Sequence, residues 1–292
     1  VTDLAAQTVV VTGAGSGIGR AIAREWANKG ARIVVSDLSE AAGLSVAREI
    51  VEDGGQAVAV PCDVCDPDAI AALKSAANTA FGRVTALVAN AGAVSFEPLG
   101  KMSEQDIRWI LEVNLIGVTS CITAFLPDIA AVPGGHVVAT ASAAGLLPHW
   151  IPYHTPYSSA KAGIIGLMLN LRLELLEAGV GATVLCPFGV ATNMHQHNQA
   201  YRPQRFGGPG QGAVALPGTF FDDAALSFRT PEEVAVMTLE AVAANRPMVV
   251  TDASQRDQFT SGYARIVLDA FDAVAAFDER QITAAAGQGQ RP

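Results

Sequence analysis

The residues best suited to chemistry in this 292-residue chain are a tyrosine and a lysine four positions apart, Tyr157 and Lys161. On a helix that spacing puts both side chains on one face. A free phenol titrates near pH 10, too high for a good base at neutral pH. A neighbouring ammonium favours the phenolate and lowers that value. Such a pair is suited to donating or removing a hydroxyl proton. An ordinary surface pair has the same spacing, so the two residues do not decide the matter alone.

A second feature lies near the start of the chain, where Thr8–Thr12 runs into Gly13-Ala14-Gly15-Ser16-Gly17-Ile18-Gly19. Glycines at Gly13, Gly17 and Gly19 allow a tight turn and a close approach of backbone to a pyrophosphate. The helix that follows offers free N–H groups and the positive end of its dipole. A purely structural turn uses glycines too, but the strand before and the helix after are the context a dinucleotide site requires. Asp37 closes the second expected strand, 20 residues after Gly17, with Leu38 beside it. A carboxylate there accepts hydrogen bonds from both ribose hydroxyls of NAD and repels the 2′-phosphate of NADP. No lysine or arginine directly follows it, so NAD is the expected cofactor.

These features need elements to hold them. Strands are expected at 8–12, 32–36, 57–60, 84–89, 137–140 and 182–185, with a last one at 248–251. Helices are expected at 17–29, 40–53, 67–81, 104–125 (limited by Pro127) and 157–177. Strands apolar on both faces, alternating with helices, imply a parallel sheet covered on both sides and a doubly wound α/β fold. We expect one domain over 1–292. It carries a substrate-loop insertion at about 193–228 and a C-terminal helical extension at about 255–285. Thr230-Pro231-Glu232-Glu233 reads as a helix start, with a capping threonine, a proline in the first turn and two acids.

Further motifs fall in order along this frame. They are Asp63-Val64 after the third strand, Asn90-Ala91-Gly92 after the fourth, Asn114 in the long helix, Ser142 after the fifth strand, then Tyr157 and Lys161. Together with the glycine turn they resemble the short-chain dehydrogenase/reductase family over nearly the whole chain. The resemblance implies a Rossmann-type sheet of about seven parallel strands. It implies Tyr157 as general acid/base and Lys161 as the residue that lowers its pKa and holds the nicotinamide ribose. Ser142 is implied as the hydrogen-bond partner of the substrate oxygen, and Asn114 as support for a proton-relaying water. Gly13, Ser16, Gly17, Ile18, Gly19, Asp37, Leu38, Asp63, Val64, Asn90, Ala91 and Gly92 become expected cofactor contacts. Each has a plainer reading: Ser142 as a small turn residue, Asn114 satisfying backbone where its helix bends, Asp63 capping the next helix, Asn90 locking a strand end.

The sixth strand continues as Pro187-Phe188-Gly189-Val190-Ala191-Thr192, where the family pattern is P-G-x-V-x-T. Pro187, Val190 and Thr192 are expected cofactor contacts, and Phe188, in place of glycine, a wall of the substrate pocket. Val94, Phe96, Ser142, Ala144, Leu146, Trp150 and Met194 complete that expected pocket. Apolar walls without an arginine clamp suit a neutral, largely apolar secondary alcohol or its ketone, cyclic or aromatic. The 193–228 loop is expected to close over it as a lid, with His195 and His197 as loop histidines.

Composition narrows the remaining classes. Half the residues are apolar, enough to bury a large core. The net charge of −9 and pI of about 5.0, without a basic run, exclude a nucleic-acid footprint. No apolar stretch is read as a membrane span and no signal peptide is read, so a cytoplasmic chain is expected. Cys62 and Cys65 form a CxxC without further ligands, and no metal site is expected. Family members pack through the helices at 104–125 and 157–177, so a homo-oligomer (dimer or tetramer) is expected. Rival readings are a catalytically silent NAD-binding sensor or scaffold, an NADP-dependent reductase, and an enzyme of the same frame that dehydrates or epimerises.

Overall fold

The computed structural model describes residues 2–5, 7–192, 194, 200–209 and 228–288, and side chains up to residue 284. The first compact unit, Val1–Asp252, is built on one seven-stranded parallel sheet of order β3-β2-β1-β4-β5-β6-β7. Its strands are β1 (Thr8–Thr12), β2 (Arg32–Asp37), β3 (Gln56–Pro61), β4 (Ala86–Ala89), β5 (His136–Thr140), β6 (Gly181–Cys186) and β7 (Met248–Val250). The helices are α1 (Gly17–Asn28), α2 (Glu40–Glu52), α3 (Pro67–Phe81), α4 (Glu104–Leu111), α5 (Val118–Ala130), α6 (Ala143–Leu146), α7 (Thr155–Glu174) and α8 (Pro231–Ala243).

The strands are apolar in every register because both faces are covered. Val10, Leu87, Val137 and Val184 point into one core with residues of α3, α5 and α7. Their neighbours Val9, Val11, Val88, Val138 and Leu185 point into the other, with residues of α1, α2 and α8. That alternation is the two-residue period of a pleated strand, so one Val-Val-Val run serves two layers.

Two helices differ from the expectation. The long helix does not stop at Pro127. It runs through a π-helical segment, Glu112–Gly117, and on to Ala130. Proline removes only one backbone donor. The last turn is held from outside by buried Phe125 and Ile129, and by the Lys74 ammonium, which donates to the Ala124 carbonyl (2.8 Å) and pairs with Asp128. This makes Glu104–Ala130 a 27-residue apolar helix, long enough by composition to pass for a membrane span, which the sequence reading did not see. Its apolarity is accounted for by the sheet it covers, where Val118, Cys121, Ile122, Phe125 and Ile129 are buried. Helix α7 begins two residues early, at Thr155, and ends at Glu174, so Tyr157 sits in its first turn. Helix α8 starts where expected, with Thr230 and Glu233 forming a reciprocal capping box.

The second compact unit, Ala253–Pro292, contains short turns, a π-helical segment at Phe259–Tyr263 and the helix α9 (Ala264–Gln288). Phe271, Phe277 and Ile282 are exposed on that helix. Most of the expected 193–228 insertion, including His195 and His197, lies outside the described residues.

His136 on β5 is fully buried, with its ring nitrogens bonded to the Thr183 hydroxyl (2.8 Å) and the Thr2 hydroxyl (3.1 Å). Burial pushes it down from 6.5 to about 3. Between those values the unfolded chain holds the extra proton. Its contribution to stability is therefore complete above pH 6.5 and is lost as pH falls toward 3, by about 1.4 kcal/mol per pH unit. Denaturant unfolding between pH 7 and 4 should show a steeper fall in stability for the wild type than for His136→Gln; equal slopes would show that this histidine is not held neutral.

Candidate active site

The cleft opens at the carboxyl ends of β1, β4, β5 and β6, where strand order reverses from β1 to β4. Its floor is one hydrogen-bond network. The Thr12 hydroxyl accepts from the backbone N–H groups of Asn90 (3.0 Å) and Ala91 (3.2 Å). The Asn90 amide donates to the carbonyls of Thr12 (3.2 Å) and Gly13 (3.3 Å), and its oxygen accepts from the Thr140 hydroxyl (3.0 Å). Lys161, fully buried, donates to the Thr140 carbonyl (2.8 Å). Asn90 thus does lock a strand end, while also lining the cleft. Thr12 and Thr140 hold this network together, a part that the sequence did not assign to them. A small hydroxyl at a strand end gives no signal until its partners are known.

The glycine turn wraps the other side. Gly13 and Gly17 have φ of +64° and +53°, which side chains rarely adopt. A Cβ on Gly15 would lie 2.8 Å from the Asp37 carboxylate, whose oxygens accept from the Gly15 N–H (2.8 Å) and the Ser39 N–H (2.9 Å). Gly19 does not line the cleft. A Cβ there would lie 2.3 Å from the Gly13 carbonyl oxygen, so its role is packing of helix against turn.

Opposite the turn, Tyr157 and Lys161 share the inner face of α7, and the ammonium lies 5.5 Å from the phenol ring centre. Ser142 follows β5, accepts the Ala144 N–H (3.1 Å) as cap of α6, and lines the cleft together with Tyr157. The ring of Tyr157 is also packed by His154 (4.3 Å between centres), which stacks in turn on Phe96 (4.2 Å). Burial pushes Tyr157 up to about 12, against a smaller downward pull from Ser142. Burial also pushes Lys161 down to about 7. The lowering of Tyr157 expected from its neighbour is therefore not seen: in a site this dry the lysine loses much of its own charge near neutrality.

The structure sorts the remaining expectations. Ser16, Gly17, Ile18, Leu38, Asp63, Val64, Ala91, Gly92, Pro187, Val190 and Thr192 all line the same cleft of about 400 Å³, with Gly13, Asp37 and Asn90. Asn114 does not. It is buried in the π-helical segment, with its amide donating to the carbonyls of Ala93 (2.7 Å) and Ile110 (2.9 Å) and its oxygen accepting from the Ala93 N–H (3.3 Å). These are the backbone-satisfying bonds of its plainer reading. Asp63 does not cap α3; Asp66 does, and Asp63 accepts the Cys65 N–H (2.9 Å).

Of the expected substrate pocket, Ser142, Phe188 and Met194 line the cleft. Val94, Phe96, Ala144, Leu146 and Trp150 are not among its lining residues. Val94 and Ala144 are buried in a small apolar cluster with Tyr157, against which Phe96 packs. Leu146 packs against the main core, and Trp150 lies against Phe188 (5.7 Å). Trp109 and Val113, which the sequence did not suggest, also line it, and Tyr201 and Pro203 line it from the 193–228 segment expected to cover the pocket. Residues 200–209 cross here as a strap. Arg202 pairs with Asp106 and lies over the Trp109 ring (5.2 Å), Arg205 pairs with Asp63 (2.8 Å), and Phe206 is buried.

The glycine cradle, the Asp37 carboxylate beyond it and the Tyr157–Lys161 pair opposite fit a nicotinamide dinucleotide. Gly19→Ala should cost about 1–3 kcal/mol of stability, because its methyl would meet the Gly13 carbonyl and the Asn90 amide nitrogen at 2.3 and 2.6 Å; unchanged denaturant unfolding would show that the turn tolerates a side chain there.

Comparison with known proteins agrees with this geometry. The short chain dehydrogenase family model matches residues 7–202. A 3-oxoacyl-[acyl-carrier-protein] reductase of Synechocystis sp. is 34% identical over 201 residues, 68% of this chain and 81% of that protein. A cis-4-hydroxycyclohexanecarboxylate dehydrogenase of Sinomonas cyclohexanicum is 36% identical over 186 residues, 63% of this chain and 73% of that protein. A short-chain dehydrogenase/reductase from Burkholderia phymatum in complex with NAD superposes with a TM-score of 0.82 at 29% identity, over 92% of this chain and 97% of that one. The chain belongs to the short-chain dehydrogenase/reductase family of oxidoreductases.

Proposed function

We propose that the chain is an NAD(H)-dependent oxidoreductase that interconverts a neutral, largely apolar secondary alcohol, cyclic or aromatic, and its ketone. The observation that carries this is that Ser142, Tyr157 and buried Lys161, whose ammonium bonds the Thr140 carbonyl, line one cleft with the glycine turn. Bound in that cleft, the cofactor supplies a hydride acceptor or donor. The chain's own groups do the rest. Ser142 holds the substrate oxygen and offers it a hydrogen bond as charge builds there. Tyr157 as a phenol gives that oxygen its proton in the reductive direction, leaving the phenolate; in the oxidative direction the phenolate takes the alcohol's proton. Lys161 places positive charge under the site when protonated. Asn114 acts as a positioning residue that fixes the chain at Ala93, beside Gly92 at the cleft wall.

Substrate chemistry is argued from the walls. Phe188, Met194, Trp109, Val113, Tyr201 and Pro203 are apolar or aromatic, and no arginine lines the cleft among the described residues. The Sinomonas relative is named for a ring alcohol that carries a carboxylate. The ring alcohol agrees with these walls, whereas a carboxylate finds no guanidinium clamp. Asp37, fixed by two backbone N–H groups beyond the glycine turn, supports NAD over NADP. Exposed Ile116, Leu169 and Leu173, on the two helices expected to meet a second subunit, support a homo-oligomer.

Tyr157→Phe should lower turnover of neutral cyclic and aryl ketones by about a hundredfold to ten-thousandfold, followed by nicotinamide absorbance, while NADH still binds. Undiminished turnover would place the acid/base elsewhere. Asp37→Asn should reduce the kcat/KM preference for NAD over NADP by about tenfold or more, since a like charge no longer faces the 2′-phosphate. A wild type that prefers NADP would overturn the cofactor assignment.

A further inference from the structure

We propose that Arg205 is a positioning residue at the end of the cleft where the family resemblance sets Asp63 against the adenine, and that its ion pair with Asp63 clasps the strap over the bound dinucleotide and slows its release. This rests on the NAD(H) reading above. Asp63 belongs to the β3–α3 connection, on the half of the sheet that carries the glycine turn. Arg205 belongs to the segment after β6, on the other half. Their 2.8 Å contact therefore joins the two rims of the cleft.

The clasp is built on both sides. The second Asp63 oxygen is fixed by the Cys65 N–H (2.9 Å), so the carboxylate is aimed before Arg205 reaches it. The Arg205 guanidinium lies over the Phe206 ring (4.9 Å), and Phe206 is buried in the cluster that holds Tyr157. Pro203, between the two arginines, and Tyr201, just before Arg202, form cleft wall. Further along, Arg202 ties the same strap to Asp106 on α4. A dinucleotide lying under this strap leaves past the Asp63 end only when the Arg205 pair opens. Asp63 is one-fifth exposed and Arg205 less than half, so solvent ions reach the pair and molar salt screens it.

The test is NADH release from the full chain, followed by nicotinamide fluorescence in stopped flow with excess ADP as trap. ADP-ribose and nicotinamide mononucleotide are titrated calorimetrically beside it. Arg205→Gln should release NADH about fivefold faster and weaken ADP-ribose, but leave nicotinamide mononucleotide unchanged. Arg205→Lys, which keeps the charge, should recover part of the effect, and molar salt should bring wild type and Arg205→Gln together. Equal release rates in the two, or equal weakening of both fragments, would overturn the clasp. A wild type that binds no NADH would overturn the cofactor reading itself, a different result from NADH binding with an unaltered off-rate.

Discussion

Every group in the site takes its position from the hydrogen bonds that tie the carboxyl ends of β1, β4 and β5 together through Asn90. Parallel strands end with carbonyls that no neighbour satisfies, and leaving such groups buried and unpaired is costly. Asn90 satisfies those of Thr12 and Gly13 and engages the Thr140 hydroxyl, while Lys161 satisfies that of Thr140. The glycine turn, the Asn90-Ala91-Gly92 wall and the proton-transfer pair are thus fixed against the same three strand ends. A lysine whose head bonds a strand carbonyl cannot drift along its helix, and this sets where Tyr157 lies on the same face of α7.

The same dryness sets the electrostatics. Burial raises the phenol and lowers the ammonium, driving both toward their neutral forms. Nearby Ser142 works against this at the tyrosine, and the strand carbonyl gives the lysine a polar partner. Rigidity of the pair comes from packing as well: His154 is pushed down to about 4 by burial, donates no charge at neutral pH, and serves as an aromatic slab between Phe96 and Tyr157.

Sequence periodicity was sufficient for the sheet, because strands buried on both faces and helices with clear caps leave few alternatives. Residues in special backbone conformations or in ordered motifs were legible too: Gly13, Gly17, Asp37, Asn90 and the Tyr157–Lys161 pair all reach one cleft. Features set by tertiary partners were not legible. The helix through Pro127 depends on Lys74 from a different element, the tyrosine's pKa on its degree of burial, and Gly19 on a carbonyl that only the folded turn brings near. Pocket walls were hardest, since Trp109 and Tyr201 enter from α4 and the strap, while Val94, Phe96 and Trp150 turn into packing behind the wall.

The central claim is direct hydride transfer to a ketone at this cleft. Its most direct test is isotopic: incubate the protein with NADH deuterated at nicotinamide C4 and neutral cyclic and aryl ketones, and locate the label by mass spectrometry and NMR. The account predicts one deuterium at the carbinol carbon of the alcohol, from one face of the nicotinamide only, and none there from heavy water with unlabelled NADH. A carbinol label drawn from solvent, or NADH bound with no label transferred to any ketone, would contradict it.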